Sequence, residues 1–276
     1  MSEGHFYRAR SSILAGVALS ILTAQSALAG DAFKPALGLV IQTGASSNLY
    51  PLGSEQHEAT LDLSLSPVYR FAPQWSVGAI LAGSRQLTDL QEFSLDRSDI
   101  SLQWKGRALN PLLSVSASGS LILPFAGERL VRESLILGSR VGGRLTFQSR
   151  EAGWDRFTLS YAPSFAKFFH DYQTSVGGTP NSSFSISQSV GLSAQVSSRL
   201  SVSGVLSLSD GWTYGGTQTD RFRVDGELNF DISTRTSLGL GVSTSGSQLK
   251  ANGVDPNLAI FDSNRSQVWA SFGVSL

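Results

Sequence analysis

Ser266-Gln267-Val268-Trp269-Ala270-Ser271-Phe272-Gly273-Val274-Ser275-Leu276 ends the chain. Val268, Ala270, Phe272, Val274 and Leu276 share one parity. Gln267, Ser271, Gly273 and Ser275 share the other, with Trp269 as its one bulky exception. A period of two describes a β-strand with one apolar face and one small or polar face. The apolar parity runs to the last residue, so the segment is expected to be a structural element and not a linker.

Working back from it, the same alternation recurs. Leu61, Leu63, Leu65, Tyr69 and Phe71 oppose Asp62, Ser64, Ser66 and Arg70. Leu113, Val115, Ala117, Leu121 and Leu123 oppose Ser114, Ser116, Ser118 and Ser120. Phe222, Val224, Leu228, Phe230 and Ile232 oppose Arg223, Asp225, Glu227, Asn229 and Asp231. No helical 3.6-residue pattern persists after the first 30 residues. The segments divide into twelve predicted strands, at 36–44, 58–72, 75–86, 93–108, 112–125, 132–148, 155–169, 183–197, 200–212, 218–232, 236–248 and 264–276. Ten or fourteen strands also fit, because 75–108 and 236–276 divide in more than one way.

A soluble sandwich alternates too, so the connections decide. Pro73-Gln74, Asn110-Pro111, 151–154, Ser198-Arg199 and 233–235 are very short and follow every even strand. The other links, such as 45–57, 170–182 and 249–263, are mostly longer and rich in Gly, Ser, Asn and Asp. Alternating short turns and long loops are the pattern of transmembrane barrels. Aromatic residues gather near the short turns (Phe71, Trp75, Trp104, Phe147, Trp154, Phe157) and near the long loops (Tyr50, Phe93, Phe125, Phe165, Phe184, Trp212, Phe222). These are two belts with a Leu/Val/Ala band between them, as two membrane interfaces select. Pro67 and Pro163 fall mid-strand on the apolar parity, where each removes a ladder hydrogen bond; a bulge would accommodate them.

The closing segment, apolar at Val268, Ala270, Phe272, Val274 and Leu276, resembles the C-terminal strand of bacterial outer-membrane β-barrel proteins. In that class the last residue is usually Phe or Trp, where this chain has Leu276. The resemblance implies that the strand is the sorting signal for the β-barrel assembly machinery and closes the barrel against the first strand. The N-terminus agrees with export to a Gram-negative envelope. Arg8 and Arg10 precede a twelve-residue apolar run at 13–24, and Ala27-Leu28-Ala29 supplies a small-x-small cleavage pattern. That run is short of the roughly 20 residues of a spanning helix. Residues 1–29 are therefore expected to be a secretory signal peptide and 30–276 the barrel. A chain without cysteine has no Cys-linked lipid anchor and no disulfide. Without a spanning helix, a closed barrel is the remaining way to satisfy a backbone in lipid.

Charge excludes one class of partner. The chain has 21 basic and 21 acidic residues, and losing Glu3, Arg8 and Arg10 leaves them balanced to within one. Nucleic acid would call for a basic excess. The charged fraction of 15% lies below the roughly 25% of soluble domains, as suits a wall in outer-membrane lipid.

The parity opposite the apolar one is expected to line a lumen with Ser114 to Ser120 at alternate positions, then Ser185, Ser187, Ser189, Ser193, Ser201, Ser203 and Ser207. Small residues leave space that a narrow barrel would fill with bulky ones. Charges on this lining are uneven. Arg132, Arg140 and Arg144 lie on the sixth strand, and Arg223, Asp225, Glu227 and Asp231 on the tenth. Asp62, Arg70, Lys105 and Arg107 lie elsewhere around the wall. In an open lumen they would set a transverse field that selects solutes; in a plugged one they would pair across it. Both readings stand at this point.

Catalysis has little support. The histidines after residue 30, His57 and His170, have no Ser or Asp two residues away: Phe168 and Tyr172 flank His170, and Glu55 and Ala59 flank His57. The outer-membrane phospholipase and protease families use such pairs, so no catalytic residue is expected. With no Cys and two scattered His, no metal site or cofactor is expected. Asp255 and Asp262 in the last long link could at most hold a loose calcium. The function expected is a passive pore for small polar solutes. The alternatives are a structural or docking barrel whose outer loops meet envelope proteins and, third, an outer-membrane lipase or protease.

Overall fold

The computed structural model describes residues 34–88, 93–125, 133–149, 157–250 and 255–276. Residues 1–29, where a signal peptide is expected, and Arg132 and Trp154 lie outside them. Twelve strands follow in chain order: β1 (Ala36–Asn48), β2 (Ala59–Ala72), β3 (Trp75–Gln86), β4 (Phe93–Ala108), β5 (Leu113–Ile122), β6 (Leu135–Gln148), β7 (Phe157–His170), β8 (Ser182–Gln195), β9 (Leu200–Thr213), β10 (Gln218–Asp231), β11 (Thr236–Gly246) and β12 (Ser266–Ser275). Each pairs antiparallel with its neighbours, and β12 pairs with β1, so the sheet is a closed barrel. Of the strand counts open to the sequence, twelve is the one formed.

Closure is made by the terminal segment, 266–276. Val268, Ala270, Phe272 and Val274 stand opposite Ser47, Ala45, Thr43 and Ile41 of β1. The last residue continues the ladder: Leu276 N–H donates to the Leu39 carbonyl at 2.9 Å, and Leu39 N–H donates back at 3.1 Å. A closed sheet leaves no edge, which is what a backbone surrounded by lipid requires.

Alternation translates directly into inside and outside. Leu61, Leu63, Leu102, Leu121, Leu145, Val190, Leu228, Leu240 and Phe272 are exposed on the outer wall. Asp62, Ser64, Ser66, Asp99 and Ser243, of opposite parity, are buried. Such an exposed apolar wall is stable only in lipid. Leu276 is 65% exposed on the same parity, one residue beyond the end of β12.

Three local features depart from the expectations of the sequence. Pro67 and Pro163 are accommodated without a bulge: Leu65 faces Leu81 and Val68 faces Gly78 in one register, as Gly142 faces Ser164 and Leu145 faces Tyr161. Each proline sits in a gap of one ladder while the other stays intact, Pro67 opposite Leu39 and Pro163 opposite Gln188. A true bulge occurs in β4, where Trp104 faces Ala117 but Arg107 faces Val115. Two residues, Lys105 and Gly106, thus oppose Ser116, and Gly106 takes φ +92°. That conformation is glycine's own. Arg107 is thereby carried to the parity of Val115, on the outer wall.

Phe222 is the third departure. Expected in the exposed outer belt, it is only 1% exposed. The segment between β11 and β12 folds back against the outside of the wall there. Thr244 Oγ1 donates to the Ile260 carbonyl at 2.9 Å, and the Arg265 guanidinium lies 5.9 Å from the Phe222 ring centre. Within that segment Arg265 Nε donates to Asp262 Oδ2 at 2.7 Å, and Asn264 N–H donates to Asp262 Oδ1 at 2.9 Å. These bonds, the Asn264 N–H first, hold the Asp262 carboxyl below its usual range. A depressed folded-state value means the clasp is intact above the ordinary carboxylate range and is lost as pH falls through the lowered value. Asp262→Asn should therefore open the clasp at pH 8, raising trypsin cleavage after Arg265 several-fold. Unchanged cleavage would show that the clasp does not hold the segment.

The candidate lumen

Inward charges gather on β2, β4, β6 and β10. Counting around the closed barrel, β2, β6 and β10 are each four strands apart. Asp62 and Arg70 stand on β2, Arg140 and Arg144 on β6, and Arg223, Asp225, Glu227 and Asp231 on β10. The register assigns their parity. Arg140 faces Ser120 and Ala166, Arg144 faces Ser116, and Glu227 faces Ser203 and Gly241, all small inward positions. Acid-rich and base-rich sectors thus face one another across the lumen.

Along the axis the charges separate into levels. At the short-turn end lie Arg70, Lys105 and Asp231, each near the end of its strand. Asp231 Oδ1 accepts from Asn229 Nδ2 at 3.2 Å. Arg140, Arg144, Arg223, Asp225 and Glu227 lie nearer mid-height. Toward the long-loop end are Asp62 and a pair absent from the sequence reading, Arg97 and Asp99, joined at 2.6 Å. Asp99 shares the parity of Ser101, Gln103 and Lys105, which was a usable signal. The register shift between Ala82 and Gly83, opposite 95–97, obscured the alternation beyond it.

Two lumen ion pairs among the described residues run along a strand. Arg97 reaches Asp99 on β4, and Arg223 Nε contacts both carboxylate oxygens of Asp225 at 2.8 Å on β10. Arg70 Nε and Asp99 Oδ1 are buried with no protein hydrogen-bond partner among the described residues. Buried charged atoms of this kind call for a polar partner, such as water.

Trp269 gives the lumen its shape near Glu227. It faces Gly241, which faces Glu227 in turn. The indole lies against β11: a Cβ on Gly241 would meet Trp269 ring atoms at 2.3 and 2.4 Å. A Cβ on Gly239 would meet Glu227 Oε1 at 2.9 Å and the indole at 3.2 Å. Two glycines therefore provide a floor against which the indole and the carboxylate lie. Trp269 was legible as an exception to its parity; its role was not, because the glycines that receive it are some 30 residues away in sequence. One apolar cluster also faces inward toward the long-loop end, where Ile122 and Phe168 close over Gly138.

The two histidines are placed in structural roles. His57 Nδ1 lies 3.2 Å from the Tyr50 carbonyl. His170 Nδ1 lies 3.3 Å from the Tyr214 hydroxyl, which donates to the Phe168 carbonyl at 2.8 Å and accepts from His170 N–H at 3.2 Å. Among the described residues no group of three His, Cys, Asp or Glu could hold a metal ion. Asp262 is engaged by Arg265 as described.

No family model matches the sequence, and no curated protein matches it. Solved structures do match in shape. An outer-membrane channel from Pseudomonas putida F1 superposes with a TM-score of 0.58 at 12% identity, covering 91% of this chain and 100% of that one. The NanC porin gives 0.53 at 9% identity, over 86% and 98%. The KdgM porin gives 0.50 at 9%, over 86% and 99%. At such identities the likeness is one of architecture: the chain has the twelve-strand fold of bacterial outer-membrane porins and channels.

Proposed function

We propose that the chain is a passive outer-membrane pore for small polar solutes, exported by cleavage after Ala29 and sorted to the assembly machinery by its terminal strand. The carrying observation is the lumen wall itself. It is lined largely by serine and glycine, and two ion pairs among the described residues each lie along a single strand. The Arg70 and Asp99 atoms that lack protein partners support a wet interior. The sectors on β6 and β10 bias which solutes enter, since the low-dielectric wall focuses the field of its charges into the water it encloses.

The test is the reversal potential of the folded barrel in a planar bilayer under a salt gradient. Changing Asp225 to Asn and Glu227 to Gln leaves Arg140, Arg144 and Arg223 to dominate, so selectivity should move toward anions by several-fold. An unshifted potential would remove these residues from the passage. The export step has its own check: N-terminal sequencing of the mature protein should begin at Gly30, and any other start would refute the site.

A further inference from the structure

We propose that the outer wall at β6–β8 binds one anionic lipid, with an acyl chain lying in a groove at Pro163 and its phosphate on Lys167. An open groove of about 450 Å³ is lined by Val141, Gly143, Pro163, Phe165 and Ile186, with Gly142 and Ser164 at the ladder gap. The first five lie on the outward parity, Gly142 and Ser164 on the inward one. It exists for two local reasons. Gly143 has no side chain to cover the wall, and at Pro163 the β6–β7 ladder is interrupted, with no pairing between Gly142–Ser164 and Leu145–Tyr161.

Lys167 stands at the end of this groove. It is the next outward residue after Phe165 on β7, roughly 7 Å along the strand, and lies three residues from the long-loop end at His170. A lysine on the lipid side of a barrel is costly at mid-bilayer and tolerated only toward an interface. Its ammonium donates to Ser183 Oγ at 2.6 Å and lies 5.9, 6.0 and 5.6 Å from the ring centres of Phe169, Phe184 and Tyr214. Trp212 stacks on Phe184 at 4.8 Å and completes the aromatic surround. No carboxylate pairs with Lys167 among the described residues, so the charge is held in place but not neutralised. An apolar groove ending at an ammonium matches a molecule with a hydrocarbon chain and an anionic head. Aromatic rings at the same level match the interface at which such a head sits.

Native mass spectrometry of the folded protein in detergent tests this with dimyristoyl phosphatidic acid and dimyristoyl glycerol, which differ only in the phosphate. The wild type should retain the phosphate-bearing lipid about tenfold better. Lys167→Gln should abolish that preference while keeping the residual retention of the neutral lipid, and Lys167→Arg should keep the preference. Gly143→Leu, or Ile186→Trp should the first fail to fold, fills the groove and should lower retention of both lipids. Equal retention of the two lipids by the wild type, an intact preference in Lys167→Gln, or unchanged retention in a folded groove variant would each overturn the site.

Discussion

Replacing Gly106 by alanine or valine is expected to leave little or no folded barrel. A Cβ at this position would lie 1.6 Å from the Val115 carbonyl oxygen, 2.5 Å from its carbon and 2.9 Å from Ser116 Cα, all of them backbone atoms. No flexible side chain can give way. The positive φ alone costs a residue with a Cβ about 1–3 kcal/mol, before any clash is counted. The β4–β5 ladder must slip or open, and a barrel with one open seam exposes backbone to lipid. Folding yield, read from the faster migration of unheated protein on a denaturing gel, should fall by at least tenfold in both variants. Wild-type yield for Gly106→Ala would mean that the bulge is not required. A slip of one residue would also return Arg107 to the inner parity, where the sequence reading had placed it.

That residue shows where legibility ends. The barrel was readable because period two, short and long links and the closing strand each follow from backbone geometry and recur many times. Lumen charges on uninterrupted strands, such as Arg140, Arg144 and Glu227, kept their parity and were readable for the same reason. Arg107 was misplaced because one extra residue in a bulge inverts every later position, and Lys105-Gly106 reads like ordinary alternation. Phe222 was misplaced for a different cause: the β11–β12 segment packs against the outer wall, a tertiary contact no local pattern announces. Pro67 and Pro163 were resolved more simply than expected, by leaving a ladder gap in an otherwise continuous register.

Gly241→Ala carries the second large effect. The added methyl would overlap the Trp269 ring and approach the Gly226 carbonyl at 2.7 Å. The indole must therefore rise off β11, and its inward parity directs it toward the lumen. Overpacking of this kind costs about 1–3 kcal/mol, which a closed barrel can bear, so the readout is the passage and not the fold. Single-channel conductance should drop by about half or more. In a Gly241→Ala, Trp269→Ser double variant it should recover to the wild-type level or above, while stability recovers only in part because the Gly226 contact remains. A folded Gly241→Ala barrel with wild-type conductance would mean that Trp269 does not border the conducting path.

Both the selectivity and the Trp269 experiments presuppose that the interior is continuous water. The most direct measurement of that claim is the current across a planar bilayer holding the purified, refolded wild-type barrel. An open lumen predicts discrete, reproducible conductance steps that grow with salt concentration. A silent membrane, with insertion of correctly folded protein established separately, would contradict it: the lumen charges would then form a plug, and function would have to be sought in what the long loops bind.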